Sequence, residues 1–358
     1  MKLLFLCKRR PQSRDLLIKP YGRFYHLPLL LARQGHEVTI LLGSYKREPD
    51  QYYIHEEDGI RWFSISLAGM NPFRYCRSAK QLAEEIGPDW IIGFSDIWYG
   101  ILTSHLATHL GCRSLIDAYD NYESYIPWFK PLHLLWRLSL AKANVVTAAG
   151  PQLAEFMSRS AGGRQVDIIE MSADPIFYPR SKSACRKQLG LPSDKILIGY
   201  SGSLHPSRGI QLLFSVFEKF KVLMPDVELI ISGRLSDKVE LPSHVRWLGY
   251  LPAEEVPVLI NSLDLMCAIN KPGAFGNYSY PVKVYEALAC GVPVVATDLP
   301  GTAWILRNHP SWLANPEDID DFVEKVISLL NTQPLFNPVS GWQASAEQLE
   351  KLLVNFKK

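Results

Sequence analysis

Short apolar runs alternate with longer amphipathic stretches along most of the chain. Strands are predicted at residues 2–7, 37–42, 60–65, 90–94, 113–117, 145–148, 196–200, 227–232, 246–248, 263–269 and 292–296. Helices are predicted at residues 23–34, 77–86, 97–110, 151–160, 210–223, 253–262, 316–330 and 342–356. Because strand, helix and strand follow one another repeatedly, the pattern predicts an α/β protein with doubly wound parallel sheets.

A charged stretch without periodicity, residues 180–194, interrupts this alternation near the middle of the chain. We place a domain boundary there. The sequence then predicts an N-terminal domain at residues 1–180, a C-terminal domain at 181–335 and a terminal helical segment at 336–358. A chain of 358 residues, 47% of them hydrophobic, can build two cores of ordinary size.

Charge and cysteine content restrict the classes of partner. The net charge of +2 gives no argument for nucleic acid. The first fifty residues carry ten basic and four acidic groups, an excess that attracts phosphates or an anionic membrane, although a solvated surface explains it equally well. Six scattered cysteines without a C-x-x-C pair predict reduced, buried thiols in a cytoplasmic protein. Residues 3–7 are too short for a signal peptide, and no apolar run reaches about 18 residues.

The segment at residues 277–300, NYSYPVKVYEALACGVPVVATDLP, carries the strongest candidate chemistry. Pro281 suits the first position of a helix, and Gly291 suits the left-handed position that ends one. Lys283 and Glu286 then share one helical face. A helix start with a lysine binds anions, and a carboxylate on the same face can accept hydrogen bonds from a sugar diol. The pattern is typical of a site for a nucleotide diphosphate, or of an ordinary surface ion pair.

Within this segment, VKVYEALACGVPVVATD closely resembles the donor site of the GT-B glycosyltransferases of family 4, the glycosyl transferases group 1. The resemblance implies two Rossmann-like domains that face a central cleft, with the donor bound by the C-terminal domain. It implies that Glu286 binds the ribose hydroxyls. Tyr278 stands where the family often has a second glutamate that grips the donor sugar. Lys283 ends a Tyr-Pro-Val-Lys run similar to a known variant of the motif.

A second loop, SGSLHPSRG, follows the strand at residues 196–200. Its small residues Ser201, Gly202 and Ser203 allow a ligand to approach the backbone. The family pattern here is Gly-Arg-Leu…Lys-Gly, whose two cations hold the diphosphate. Ser203 stands at the arginine position and Arg208-Gly209 at the lysine position. The resemblance therefore implies that Arg208 binds phosphate, with Lys283 replacing the missing cation.

In the N-terminal half, the resemblance makes Gly22 and Arg23 candidates for a loop near phosphate and acceptor. Arg23 is as well explained as a surface residue at the start of a helix. Asp117 and Asp120 follow a strand, where open α/β sheets bind ligands, so either is a candidate general base. Capping or loop hydrogen bonding is the alternative for both.

Two further patterns have weaker interpretations. His105 and His109 lie four residues apart, the spacing of two metal ligands on a helix, but surface or core histidines explain them better, and we expect no metal. Residues 127–140 mix apolar, aromatic and basic side chains. Such a stretch packs on a sheet or lies at a membrane interface.

The resemblance implies a metal-independent hexosyltransferase that needs no cofactor. It would move a sugar from a nucleotide-diphosphate sugar to a hydroxyl of a glycan or lipid-linked acceptor in cell-surface polysaccharide or glycolipid synthesis. Retention of the anomeric configuration is implied, although the Asp117/Asp120 pair leaves inversion open. We expect a cytoplasmic location, with peripheral contact to the inner face of a membrane as an option. The alternatives are a nucleotide-sugar epimerase or hydrolase, and a non-catalytic glycan-binding subunit.

Overall fold

The structure is a computed structural model that describes residues 1–11, 14–55, 59–68, 72–332 and 340–356. The chain forms two compact units. The first unit is Met1–Met171 with Ser340–Lys358, and the second is Ser172–Val339. Each unit has its own parallel sheet covered by helices, so the predicted α/β class is confirmed.

The first unit is built on an eight-stranded sheet. Its strands are β1 (Lys2–Lys8), β2 (Glu37–Ser44), β3 (Gln51–His55), β4 (Ile60–Ser66), β5 (Trp90–Gly93), β6 (Arg113–Ala118), β7 (Val145–Ala148) and β8 (Asp167–Ile168). Its helices are α1 (Arg23–Arg33), α2 (Pro72–Ile86), α3 (Ile97–Leu110), α4 (Lys130–Lys142), α5 (Pro151–Ser160) and, from the end of the chain, α12 (Trp342–Val354). The strand order is β3-β4-β2-β1-β5-β6-β7-β8, and β3 pairs antiparallel to β4.

The second unit is built on a six-stranded sheet in which every pairing is parallel. Its strands are β9 (Ile196–Ser201), β10 (Val227–Ser232), β11 (Val245–Trp247), β12 (Leu265–Ala268), β13 (Val294–Thr297) and β14 (Leu313–Ala314), in the order β11-β10-β9-β12-β13-β14. Its helices are α6 (Lys182–Gln188), α7 (Ile210–Leu223), α8 (Val256–Ser262), α9 (Val282–Ala289), α10 (Pro300–Ile305) and α11 (Ile319–Asn331).

Central strands are apolar without interruption because helices cover both faces of each sheet. Leu3 to Leu6 of β1 and Val294 to Ala296 of β13 are fully buried. This explains why unbroken apolar runs located these strands in the sequence. The antiparallel edge strand β3 was not predicted, because its sequence QYYIH is short and is not an unbroken run of apolar residues.

Helix α6 was also missed, because the charged stretch 180–194 lacks an apolar face. The helix is fixed by polar contacts instead. Ser181 caps it, and the buried Arg186 donates to the Ser262 carbonyl at 2.9 Å and to the Asp264 carboxylate at 2.6 Å. A guanidinium can be buried when its donors are satisfied in this way.

Residues 172–180 belong to the second unit, although the boundary suggested by sequence was after residue 180. Phe177 is part of that unit's core. The Arg180 amide donates to the Asn261 side-chain oxygen at 2.7 Å, and the Asn261 amide group donates to the Tyr178 carbonyl at 3.1 Å. Asn261 thus fastens this segment to α8.

Helix α12 packs in the first unit. Trp342 stacks on His26 of α1 with ring centroids 5.7 Å apart, and Glu350 lies 3.1 Å from His36. Ser345 donates to the Glu170 carbonyl at 3.0 Å. In the part of the chain that the structure describes, no helix is both long and apolar enough to cross a membrane.

All six cysteines are free thiols. Cys7, Cys185, Cys267 and Cys290 are buried, and burial raises the pKa of Cys7 and of Cys267 to about 12. The prediction of buried thiols is wrong for Cys76, which is exposed because α2 turns it away from the sheet, and for Cys112, which is half-buried.

Candidate functional site

In the second unit, the loop after β9 and the start of α9 bring Lys283 onto a glycine. A methyl group on Gly202 would lie 2.5 Å from the Lys283 Nζ atom. The same ammonium lies 4.0 Å from the centre of the Tyr200 ring, a distance at which the ring attracts a cation. Tyr200 is fully buried, and its hydroxyl donates to the Ser203 carbonyl at 3.1 Å. Lys283, Gly202 and Ser203 are therefore neighbours.

Two glycines make this approach possible. Gly202 and Gly233 follow adjacent strands β9 and β10, and both have a positive φ, 145° and 143°. A Cβ atom on Gly233 would lie 1.7 Å from the Gly202 carbonyl oxygen. Gly233 requires glycine because its Cα lies against the backbone of Gly202 at the carboxyl edge of the sheet. At Gly202 the positive φ favours glycine, and a side chain would meet Lys283.

Arg208 lies further along the same loop. Its guanidinium stacks over the Phe275 ring at 4.2 Å, and the side chain is half-buried. Gly209, at a φ of 81°, begins α7 and lies so close to Ile269 that a Cβ atom would meet it at 3.0 Å. Tyr278 is half-buried in the short 3₁₀ helix Gly276–Tyr278, directly after Phe275. Arg208 and the segment that carries Tyr278 thus share a contact through Phe275.

Helix α9 carries Lys283 and, one turn later, Glu286. Pro281 is the residue before the helix and not its first residue, a shift of one position from the prediction. Gly291 has a φ of 71° and ends the helix as predicted. Glu286 is half-buried, and burial followed by the Glu286 charge raises the pKa of Cys290 to about 12. The carboxylate and the ammonium lie on the same face of α9.

In the first unit, Arg23 is not the surface residue that one alternative predicted. Its Nε donates to Asp117 at 2.7 Å and its Nη2 donates to the other oxygen of the same carboxylate at 2.5 Å. Its Nη1 donates to the Ile169 carbonyl at 2.6 Å. Thr147 donates to Asp117 at 2.6 Å. Arg23 is 1% exposed and Asp117 is 2% exposed, so the pair joins α1, β6 and β7 inside the unit. Gly22 precedes α1 at a φ of 61°.

Asp120 lies beyond the end of β6, close to the tyrosines Tyr119 and Tyr125. It is 8% exposed and accepts from the Tyr125 hydroxyl at 2.6 Å. Burial first and the Asp120 charge second raise the pKa of Tyr119 well above its ordinary value. The phenols stay protonated, so they can donate to a carboxylate.

Asp96 occupies a comparable position after β5, the neighbour of β6 in the sheet, and the sequence patterns did not indicate it. It caps α3 by accepting from the Ile97 amide at 2.7 Å, and burial raises its pKa. The preceding Ser95 has a φ of 71°, and its hydroxyl accepts from the Lys8 amide at 2.9 Å. A strained non-glycine residue at a strand end was not visible in the sequence.

Some of the basic side chains of the first fifty residues are paired inside the first unit. Arg9 pairs with Asp15 at 3.0 Å, and Arg10 donates to Glu48 at 2.8 and 2.7 Å. His105 and His109 are both exposed on α3. Over the described ranges, no group of three or more His, Cys, Asp or Glu side chains has the arrangement of a metal site.

Comparison with protein-family models matches each half of the chain. Residues 181–348 match the model described as Glycosyl transferases group 1. Residues 23–170 match the model described as Glycosyl transferase 4-like domain. The two matches together cover most of the chain.

Among curated proteins, the chain is similar to a GDP-mannose-dependent monoacylated alpha-(1-6)-phosphatidylinositol monomannoside mannosyltransferase of Corynebacterium glutamicum. The two are 26% identical over 196 residues, which is 49% of this chain and 51% of the relative. The chain spans about half the length of the curated relatives it matches.

Among solved structures, the chain is similar to sucrose-phosphate synthase from Thermosynechococcus elongatus, with a TM-score of 0.79, 16% identity and coverage of 99% of this chain and 98% of the other. It is also similar to Anabaena HepE in complex with UDP-glucose, with a TM-score of 0.70, 19% identity and coverage of 99% and 98%. These similarities show the GT-B fold.

Proposed function

Because the chain belongs to the group 1 glycosyltransferases, we propose that it transfers a sugar from a nucleotide-diphosphate sugar to an acceptor hydroxyl. The observation that carries the proposal is the Lys283 ammonium held against Gly202 at the carboxyl edge of the second sheet. That edge is where open parallel sheets bind ligands. A cation above a glycine backbone is the arrangement that a diphosphate requires.

We assign the donor-binding roles from this geometry together with the family resemblance. Lys283 and Arg208 bind the diphosphate and stabilise it as it leaves. Glu286 accepts hydrogen bonds from the ribose hydroxyls. Tyr278 follows Phe275, which contacts Arg208, and we place the donor sugar next to it. Ser203 contributes no charge to the diphosphate and contacts it only through its hydroxyl or its backbone. Positive charge supplied by these side chains would serve the leaving group without a metal or another cofactor.

In the first unit, we assign Asp120 the role of binding or deprotonating the acceptor hydroxyl. Its carboxylate lies beyond the end of β6 and accepts from the Tyr125 hydroxyl, and a carboxylate within reach of an acceptor hydroxyl can act as a general base. Asp117 and Arg23 are positioning residues in this proposal, because their polar atoms already satisfy one another. Gly22 allows α1 to begin where Arg23 reaches Asp117.

The acceptor is a glycan or a lipid-linked glycan of cell-surface polysaccharide or glycolipid synthesis, and the reaction retains the anomeric configuration. The Corynebacterium relative supports a lipid-linked acceptor, since its name describes a phosphatidylinositol mannoside. That relative is named for GDP-mannose and the HepE structure contains UDP-glucose, so both nucleotides are candidates for the donor.

Calorimetric titration of UDP and GDP tests the donor site. Arg208→Ala and Glu286→Ala should each weaken binding of the preferred nucleotide about 5- to 150-fold, as expected for losing a hydrogen bond to a charged group. Glu218→Ala, which removes an exposed carboxylate from α7, should leave the affinity unchanged. If both site variants fold and bind UDP and GDP as tightly as the wild type, the proposed site is refuted.

Turnover measurements separate transfer from the alternatives. Asp120→Asn should keep nucleotide affinity and slow transfer to acceptor. Release of free sugar or of an epimerised product without acceptor would indicate a hydrolase or an epimerase. Failure to bind any nucleotide diphosphate would support a non-catalytic subunit.

A further inference from the structure

The outer side of α4 exposes large apolar side chains. Leu134, Leu135 and Leu138 are 59%, 52% and 49% exposed, and their spacing places them on one side of the helix. Trp128 in the turn before α4 is 78% exposed. We call Trp128, Phe129 and these three leucines the α4 face. The opposite side of the helix packs on the unit through Leu132, Trp136 and Leu140, which are buried.

Two exposed lysines border the α4 face. Lys130 and Lys142, both exposed, mark the two ends of α4. The sequence has no aspartate or glutamate between Glu123 and Glu155. Arg137 adds little charge, because Glu123 accepts from it at 2.8 and 2.6 Å. The surroundings of the leucines are therefore cationic at both ends of the helix, a pattern complementary to an anionic surface.

The turn that presents Trp128 is fixed on the helix. His133 donates from Nε2 to the Ile126 carbonyl at 2.9 Å. Glu123, only 7% exposed, joins the 3₁₀ turn Tyr122–Tyr125 to Arg137 in the middle of α4. The apolar side chains are thus already arranged in the folded unit, and little ordering is needed when they become covered.

We propose that the α4 face docks on an anionic phospholipid bilayer, with Trp128 and the leucines in the headgroup boundary and Lys130 and Lys142 at the lipid phosphates. A contiguous exposed apolar patch is costly unless something covers it. The membrane–water interface favours helices that lie along its surface and combine tryptophan, lysine and leucine. This inference rests on α4 and its charges, and it is independent of the donor chemistry.

Vesicle sedimentation of the full chain tests the proposal. The chain should pellet with phosphatidylcholine vesicles that contain phosphatidylglycerol, pellet less with phosphatidylcholine alone, and be released by salt. The triple variant Trp128→Ser, Leu134→Ser, Leu138→Ser should lower the partition coefficient on the order of tenfold or more. Lys130→Glu with Lys142→Glu should lower it to a similar degree, and only on the anionic vesicles.

Matched controls come from the second unit. Val222 and Leu223 are 82% and 57% exposed at the end of α7, so Val222→Ser with Leu223→Ser should leave sedimentation unchanged, as should Lys238→Glu. Every variant should keep the wild-type nucleotide affinity, which separates this result from a failed donor site. If the α4 substitutions leave the fraction of protein that pellets with the vesicles unchanged, the proposal is overturned. A dimer, seen by ultracentrifugation, that the same substitutions dissociate would also overturn it.

Discussion

Adding one methyl group at Gly202 should disable the proposed phosphate site without removing any charged side chain. The new Cβ atom would lie 2.5 Å from Lys283 Nζ, 3.3 Å from its Cε and 3.4 Å from the Tyr200 hydroxyl. Ordinary contact begins near 3.5 Å, so the ammonium has to withdraw by about 1 Å. A lysine can do this cheaply because its end is flexible, but the withdrawal carries the charge away from the backbone of the loop.

The expected cost divides into a folding part and a binding part. A side chain at the φ of 145° that Gly202 adopts, outside the left-handed helical region, costs about 1–3 kcal/mol of unfolding free energy. Loss of a charge-assisted hydrogen bond to phosphate costs about 1.5–3 kcal/mol, which corresponds to a rise in the Kd for the nucleotide of about 10- to 150-fold. Lys283→Met should cause a similar rise. Because both changes remove the same interaction, their effects should not add in the double variant.

Calorimetry with the nucleotide measures the binding part, and urea denaturation measures the folding part. Gly190→Ala is the control for a side chain at a positive φ away from the site, since Gly190 has a φ of 59° in the same unit and a Cβ atom there would meet nothing within 4 Å. It should lower stability and keep the Kd. If folded Gly202→Ala binds UDP and GDP within about twofold of wild type, or if its effect adds fully to that of Lys283→Met, the phosphate-site reasoning fails.

Two further predictions concern the first unit. Arg23→Met should lower the unfolding free energy by about 3–5 kcal/mol because it leaves a buried carboxylate without its cation, and adding Asp117→Asn should recover part of the loss in urea melts; a loss under about 1 kcal/mol would contradict this. Hydrogen bonds from Arg10 lower the pKa of Glu48 from 4.5 to about 2, so this carboxylate stabilises the fold above pH 4.5 and stops doing so as the pH falls to about 2. Because water screens this pair near the surface, Glu48→Gln should cost about 1 kcal/mol at pH 7 and less at pH 2, and an equal cost at both would be inconsistent with the assignment.

Local signals in the sequence were sufficient for the buried central strands and for the end of α9. Unbroken apolar runs located β1, β9 and β13, because both faces of those strands are covered. Gly291 marked the end of α9, since few other residues adopt its φ of 71°. The same signals failed for α6, whose stability comes from Arg186 and Asp264, side chains far apart in sequence.

Partners at long range also decided the roles of the candidate residues. Arg23 and Asp117 lie 94 positions apart, and nothing local to either indicated that they bind each other. As long as the pairing was unknown, each was a plausible site residue, because Arg23 is a cation after a glycine and Asp117 is a carboxylate at the end of a strand. Burial of the pair leaves Asp120, three residues later, as the carboxylate beside protonated phenols.

The loop after β9 shows how a phosphate site can exchange one cation for another. The family resemblance puts an arginine where this chain has Ser203, and a serine cannot carry the charge. The Ser203 carbonyl accepts from Tyr200, and the face of the Tyr200 ring holds the Lys283 ammonium at 4.0 Å. Gly202 supplies the space, since any side chain there would push the ammonium out. Glycine, tyrosine and lysine therefore depend on one another. Restoring an arginine by Ser203→Arg should compensate for Lys283→Met in nucleotide affinity, measured by the same calorimetry, because the arginine returns the missing cation to the loop.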